Sequence, residues 1–468
     1  MNSLIFSSAT ALAKAIRKKE VSSLEVINAH LDHIESVNSK LNAVVLVLHD
    51  SARSAARDAD AAVARGDLLG PFHGVPMTVK DAWELEGVIS TGGTLGRAAF
   101  IAQKDATVIA RMRAAGAIPI GMTNVPEFSL AFESDNLVHG RTHNPFDLTR
   151  TPGGSGGGGA AAIAAGMSPM EVGADLGGSI RVPCHFSGIS GIRPTTGRVP
   201  LTGYFPPTFG WVGYITAAGP MARTIDDLAA MLPVLAGPDW VDSCVHEVPL
   251  LDPWNIPVKS LRVVFHTTNG IMPARADVAA VVASAAKALE SAGASVEEAI
   301  PPGIEQCMDI FRGFLTADGG EGLRTLLSMV GTTRTHPLMD AMLTMSGEPK
   351  SAVFFEELWD QLSIYRSTML SFLKNYDVIL CPVNALPAVE HGSSFNPDIF
   401  PGFSYTIAHN LTGWPGAVVR CGASKEGLPV GVQIVARPWR EDVALAVAKH
   451  LEIAFGGYQR PSLVSGSN

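Results

Sequence analysis

Short apolar runs alternate with amphipathic or alanine-rich segments along almost the whole chain. Residues 43–48, for example, read AVVLVL and are followed by an alanine-rich stretch at 51–65. Short apolar runs are typical of buried strands, whereas apolar residues that recur every three or four positions are typical of helices. Strands that alternate with helices over the full length indicate an α/β fold, a sheet covered by helices on both faces.

The chain shows no linker, internal repeat or low-complexity tract, so we expect one domain over residues 1–468. Periodicity predicts helices at residues 8–37, 51–65, 107–115, 225–235, 276–292, 353–374 and 442–454, and a turn leading into a helix at 153–166. Apolar runs predict strands at 43–48, 117–122, 261–266, 377–382 and 427–436, and a further strand that ends near Lys80.

The charge balance limits the kinds of partner. The formal net charge is −9, and the densest basic run is the three residues 17–19 of a helical segment. Because nucleic-acid binding rewards clusters of Lys and Arg, we expect no nucleic-acid partner.

The five cysteines are widely spaced and form no CxxC pair, which argues against a disulfide framework or a zinc site.

The N-terminus has no basic start followed by an apolar run, so we expect no secretory signal. The long uncharged stretches at 151–170 and 199–222 are interrupted by glycines or prolines, so we expect no membrane span. These features predict a cytoplasmic protein without a metal centre.

Three segments carry residues suited to acyl transfer: 74–81 (GVPMTVKD), 151–167 (TPGGSGGGGAAAIAAGM) and 173–200, which begins GADLGGSIR. In the third, Gly177 and Gly178 directly precede Ser179, and glycines let backbone N–H groups converge beside a hydroxyl. The second exposes Ser155 in a loop with little steric bulk. The first places Lys80 at the end of an apolar strand, and a lysine held in apolar surroundings can act as a base.

Taken together, the three segments resemble the amidase signature family. That family has a Lys after a GVP-like strand, a GGSSGG loop and a DTGGSIR segment, and the two serines here are 24 residues apart as in the family. Segments 219–229, 375–382, 410–416 and 427–435 also look like family segments, so the resemblance covers most of the chain. It implies a single domain, with a signature core at about 74–200, and a mixed β-sheet core with helices on both faces.

The resemblance implies a Ser–Ser–Lys triad that cleaves carboxylic amides without a metal or cofactor. Ser179 is expected to be the nucleophile that forms the acyl-enzyme. Ser155 is expected to follow a cis peptide bond, Gly154–Ser155, and to relay a proton between Ser179 and Lys80. Lys80 is the expected base, which places the triad among the Ser–Lys variants of nucleophilic catalysis.

The loop before Ser179 is expected to stabilise the oxyanion. The resemblance assigns this role to the backbone N–H groups of Leu176, Gly177, Gly178 and Ser179. It also suggests that Asp175 and Arg181 pair and hold the loop.

The sequence departs from the family pattern at two positions. The second serine of the glycine loop is replaced by Gly156, and the usual Thr before the two glycines is Leu176. The first change removes a hydroxyl, and the second removes a side-chain hydrogen bond. We expect both to influence the rate or the shape of the pocket.

Residues 127–133 (EFSLAFE) lie where family members line the acyl pocket, and the expected pocket residues are Glu127, Phe128, Leu130 and Phe132. An apolar packing role is an equal alternative for the three apolar side chains. The stretch at 203–214, rich in aromatics and proline, is a second candidate wall. Such walls favour an apolar or aryl acyl group.

Two other functions fit the same fold. One is the glutaminase subunit of a tRNA-dependent amidotransferase, which needs partner subunits. The other is a catalytically silent binding protein, against which the complete triad argues.

Residues 154–159 formally match GxGxxG, but a lone match in a glycine run is a weak sign of nucleotide binding. The expected partner is a small-molecule amide, and a homodimer is compatible with the sequence.

Overall fold

The computed structural model describes residues 2–67 and 70–465. Its strands, in chain order, are β1 Val44–Val47, β2 Pro76–Lys80, β3 Ile118–Thr123, β4 Asp135–Asn136, β5 Gly140–Arg141, β6 Met170–Asp175, β7 Ser190–Arg193, β8 Ala217–Ala222, β9 Arg262–Phe265, β10 Ser295–Glu298, β11 Val378–Pro382, β12 Gly416–Ala423 and β13 Pro429–Ala436. Its α-helices are α1 Asn2–Ile5, α2 Ala9–Arg17, α3 Ser23–Leu41, α4 His49–Arg65, α5 Thr107–Ala114, α6 Gly157–Ala164, α7 Arg181–Ser187, α8 Trp211–Ile215, α9 Ile225–Leu235, α10 Ala276–Ser291, α11 Cys307–Thr316, α12 Glu321–Met329, α13 Pro337–Ser346, α14 Ala352–Leu373, α15 Ser404–Thr412, α16 Glu441–Phe455 and α17 Ser462–Ser465.

The largest sheet has eight strands in the order β10-β9-β11-β13-β12-β7-β8-β6. The first three strands pair in parallel, and the remaining neighbours pair antiparallel. The expectation of a mixed sheet is therefore confirmed.

Helices cover both faces of this sheet, as expected. Side chains alternate between faces along a strand, so neighbouring residues join different cores. On β11, Val378 and Leu380 pack in one hydrophobic cluster with Leu289 of α10 and Leu451 of α16. Ile379 instead belongs to a second cluster, which includes residues of α11, α14 and α15.

A separate three-stranded sheet, ordered β1-β3-β2, carries Lys80 at the end of β2. In it β2 runs parallel to β3, with Lys80 opposite Thr123, and β2 also packs on β6 of the large sheet. β1 was expected to be a buried strand, but only Val44 is buried and the rest is half-buried. The reason is that β1 is an edge strand, paired with β3 alone.

The predicted helices and strands are present within a few residues, and α9 has the predicted bounds. The sequence did not predict β6, β7, β8, β10 and β12 of the large sheet, nor α11, α12, α13 and α15. Among the described residues, no helix combines the length and the apolar character needed to cross a membrane.

Candidate active site

Lys80 lies at the C-terminal end of β2 with its side chain fully buried. Its Nζ donates to Oγ of Ser155 at 2.8 Å and to the hydroxyl of Tyr204 at 3.0 Å. The Tyr204 ring packs edge-on against Trp83, with ring centroids 4.6 Å apart. These contacts fix a single buried amine against one serine hydroxyl.

Ser155 lies in the glycine loop that leads into α6, and the Gly154–Ser155 peptide is cis, as expected. Ser134 fastens this loop, because its Oγ donates to the carbonyl of Gly153 and accepts from N–H of Gly157, both at 3.1 Å. A Cβ at Gly154 would lie within 2.5 Å of neighbouring backbone atoms, so only glycine fits there.

Ser179 lies in the loop after β6, next to the glycine loop. N–H of Gly156 donates to the carbonyl of Ser179 at 3.2 Å, which joins the two loops. Ser155 and Ser179 line the same cavity. Within the described residues no hydrogen bond joins their two hydroxyls, so the link between them is a shared cavity and a backbone contact.

The loop at residues 176–179 has four backbone N–H groups whose hydrogen bonds are not used within the described protein. Within the described part of the chain, none of the four N–H groups donates to a protein acceptor. Gly178 has a φ of +136°, and a Cβ there would meet Oγ1 of Thr406 at 2.5 Å. The same hydroxyl donates to the carbonyl of Gly177 at 2.8 Å, which turns that carbonyl toward the protein.

Asp175 and Arg181 form the expected ion pair, with Nη2 and Oδ1 2.8 Å apart and both side chains fully buried. The Asp175 carboxylate also accepts from the N–H of Ile180 and from Nδ2 of Asn410. Burial alone would raise the pKa of Asp175, but the charge and hydrogen bonds of Arg181 outweigh it and hold this pKa well below its usual range. The pair anchors both ends of the loop that carries Ser179.

Two connected cavities meet at Ser179. The larger has a volume of about 290 Å³ and is bounded by Ser155, Tyr204, Pro206 and Trp211 among others. The smaller, of about 70 Å³, lies on the side of Gly177. Aromatic and aliphatic side chains dominate both linings.

Three of the four expected pocket residues line these cavities. Phe128 borders the larger one, Phe132 the smaller one, and Leu130 both. The expectation for Glu127 was wrong: its carboxylate accepts from Oγ1 of Thr94 at 2.7 Å and from the N–H of His336 at 2.9 Å, away from the cavity lining. Its buried carboxylate therefore links the loop at Thr94 to the loop at His336.

The stretch at 203–214 forms a wall of the larger cavity, as expected. Leu176, one of the two departures from the family pattern, borders both cavities and gives their junction an apolar side chain. No sequence pattern indicated the third wall, which α11–α13 supply through Phe314, Leu323 and Met342. No pattern indicated the contact between Tyr204 and Lys80 either.

The adjacent Cys184 and His185 are buried in α7, and burial raises the pKa of the Cys184 thiol. Nδ1 of His185 accepts from the N–H of Gly431 at 2.8 Å, and Nε2 lies 3.0 Å from the carbonyl of Leu386. Both side chains therefore belong to the packing around α7.

Comparison with known proteins identifies the family. The family model described as Amidase matches residues 25–445. Fatty-acid amide hydrolase 2-A of Danio rerio is 33% identical, over 98% of this chain and 91% of its own length. Indoleacetamide hydrolase of Bradyrhizobium diazoefficiens is 34% identical, over 95% and 86%.

A solved structure of 6-aminohexanoate cyclic dimer hydrolase complexed with substrate superimposes with a TM-score of 0.88 at 28% identity, covering 98% of this chain and 99% of that one. With a family match over most of its length and the same fold, this chain belongs to the amidase family and is an amide-cleaving hydrolase.

Proposed function

We propose that this enzyme hydrolyses carboxylic amides through an acyl-enzyme on Ser179, with Ser155 relaying protons between Ser179 and Lys80. One observation carries the proposal: the buried Nζ of Lys80 lies 2.8 Å from Oγ of Ser155, and Ser155 shares a cavity with Ser179. A base, a relay and a nucleophile in this order match the logic of Ser–Lys catalysis.

During acylation the protons move only among Lys80, Ser155, Ser179 and the substrate, so none is gained or lost. Neutral Lys80 takes the proton of Ser155, Ser155 takes that of Ser179, and the Ser179 oxygen attacks the amide carbonyl. As the tetrahedral intermediate collapses, the C–N bond breaks and the proton returns through Ser155 to the leaving nitrogen. Water, activated by the same groups, then attacks the ester and releases the acid.

The four free N–H groups at residues 176–179 are proposed to hold the oxyanion. Donors fixed by a rigid loop stabilise developing charge without reorganisation at the moment of reaction. The buried Asp175–Arg181 pair supports this role by fixing both ends of the loop.

The two cavities suggest how an amide lies in the site. Ser155 borders the larger cavity only, whereas Gly177 borders the smaller only. Since Ser155 must deliver a proton to the leaving nitrogen, the amine side belongs in the larger cavity and the acyl side in the smaller. We therefore propose that the substrates are N-substituted amides with a short apolar acyl group and a bulkier apolar amine, such as an aniline.

A cytoplasmic location is part of the proposal. The five cysteines form no disulfide within the described residues, and the thiols of Cys184, Cys307, Cys381 and Cys421 are buried. A homodimer is compatible with the sequence, and size-exclusion chromatography with light scattering measures the assembly directly.

The test measures the rate at which the purified enzyme hydrolyses each member of a substrate panel. The panel contains anilides of short acids, primary amides of the same acids, and glutamine. We expect anilides to be cleaved best, and Ser179→Ala to abolish turnover while the thermal midpoint is kept. Trp211→Ala should lower kcat/KM for anilides more than for primary amides. If glutamine were the one substrate of the panel to be hydrolysed, the glutaminase function would be favoured. If no substrate were hydrolysed and a fluorophosphonate did not label the protein, a silent binding protein would be favoured.

A further inference from the structure

Glu171 is a fully buried carboxyl group on β6, the strand that leads into the loop of Ser179. Its Oε2 accepts from Oγ1 of Thr123 at 2.9 Å, and its Oε1 has no hydrogen-bond partner among the described residues. A Cβ at Gly159 would lie 1.9 Å from Oε1, so the carboxyl group is pressed against the first turn of α6. An ionised carboxylate is poorly stabilised in such a place.

The surroundings of Glu171 contain one ionisable partner. The elements closest to it are β2, β3, β8 and α6, and the only ionisable side chain in their sequences is that of Lys80. On its own strand Asp175 is paired with Arg181. Asp81, next to Lys80, accepts from the N–H of Thr91 and lies 3.3 Å from His139.

Burial raises the pKa of Glu171 to about 7, even though the Thr78 and Thr123 hydroxyls and the charge of Lys80 lower it. Thr78 precedes Lys80 by two positions on β2, so their side chains share one face of that strand. The carboxyl group and the amine therefore lie on two strands packed against each other, and both side chains are fully buried.

We infer that Glu171 is a positioning residue that holds, in the active enzyme, the proton that would otherwise sit on Lys80. The exchange is balanced: the ammonium of Lys80 gives one proton to the Glu171 carboxylate, leaving a neutral amine and a neutral carboxylic acid. Exchanging a poorly solvated ion pair for two neutral groups is favourable in a dry interior. This inference rests on the proposed role of Lys80 as base.

The test compares Glu171→Gln with the unaltered enzyme, using the rate at which a fluorophosphonate labels Ser179 at about pH 7 and about pH 10. Gln cannot take the proton, so in the variant the transfer from Lys80 has no acceptor and only alkaline solution can remove that proton. We expect labelling by the variant to fall ~10- to 100-fold at about pH 7 and to recover at about pH 10. The unaltered enzyme should label at similar rates at both.

Glu171→Asp keeps a carboxyl group and should retain more of the labelling rate at neutral pH than Glu171→Gln. Glu133→Gln is a matched control, because Glu133 is also buried but its carboxylate accepts from the N–H groups of Gly392 and Ser394. Its rate, whatever its level, should keep the pH dependence of the unaltered enzyme. Thermal midpoints check that each variant is folded.

The inference would be overturned if the labelling rate of Glu171→Gln changed with pH as that of the unaltered enzyme does. A labelling rate lowered by the same factor at all pH values would overturn it equally. Failure of the proposed mechanism looks different. If Ser179→Ala were still labelled, or if Lys80→Met kept its labelling rate, the triad itself would be wrong whatever Glu171 does.

Discussion

Nζ of Lys80 donates to Oγ of Ser155 at 2.8 Å, and neither side chain has appreciable access to solvent. In the proposed mechanism the proton route between this amine and Ser179 runs through the Ser155 hydroxyl. We predict that Lys80→Met and Ser155→Ala each lower kcat/KM for an anilide about a thousandfold, because either change interrupts this route. Lys14→Met, at an exposed position of α2, is the matched control and should leave kcat/KM unchanged.

The combination of the two changes is a separate prediction. Groups that act as one unit lose most of their contribution when any member is removed. The double variant Lys80→Met/Ser155→Ala should therefore have a kcat/KM within about fivefold of either single variant. Losses that multiply would show that the two side chains act independently, against the relay.

Tyr204 is the second acceptor for Lys80, at 3.0 Å. Tyr204→Phe removes this hydrogen bond but keeps the ring against Trp83. A hydrogen bond between neutral groups is worth about 0.5–1.5 kcal/mol, so we expect kcat/KM to fall ~2- to 10-fold. Tyr376→Phe, which removes a hydroxyl bonded to Glu297 on the surface, should have no effect on kcat/KM. An equal effect of both changes would contradict a role for Tyr204 in holding Lys80.

Gly156 replaces the family's second serine, and the structure gives a steric reason. A Cβ at this position would lie 2.8 Å from the carbonyl oxygen of Ser179, which already accepts from N–H of Gly156. We predict that Gly156→Ala and Gly156→Ser lower kcat/KM equally, by ~10-fold, because the added Cβ displaces the nucleophile. A gain of activity in the serine variant alone would mean that the missing hydroxyl, and not the space, limits this enzyme.

The sequence predicted those parts of the molecule that depend on local pattern. The helix at 225–235 and the long helix near 353–374 follow from apolar periodicity, and both are present. The resemblance to the family implied the contact between Asp175 and Arg181, and the structure contains that ion pair. The resemblance also implied the roles proposed for Lys80, Ser155 and Ser179, because their three motifs are local in the sequence.

Contacts between distant segments were not predictable in this way. Tyr204 meets Lys80 across 124 residues, and nothing in the stretch at 203–214 distinguishes it from a wall residue. Glu127 looked like a pocket residue because of its neighbours, yet its carboxylate binds the loop at His336. Glu171 left one signal, a charge near the start of a short strand whose other charged residue is Asp175, but its meaning depends on the buried neighbours that only the fold supplies.

The most direct measurement is peptide mass mapping after treatment with a fluorophosphonate. The account predicts one adduct in the unaltered enzyme, on the peptide that carries Ser179, and no adduct in Ser179→Ala. Lys80→Met should form the same adduct at a rate lower by about a thousandfold. An adduct on another residue, or full-rate labelling of Ser179 without Lys80, would contradict the account.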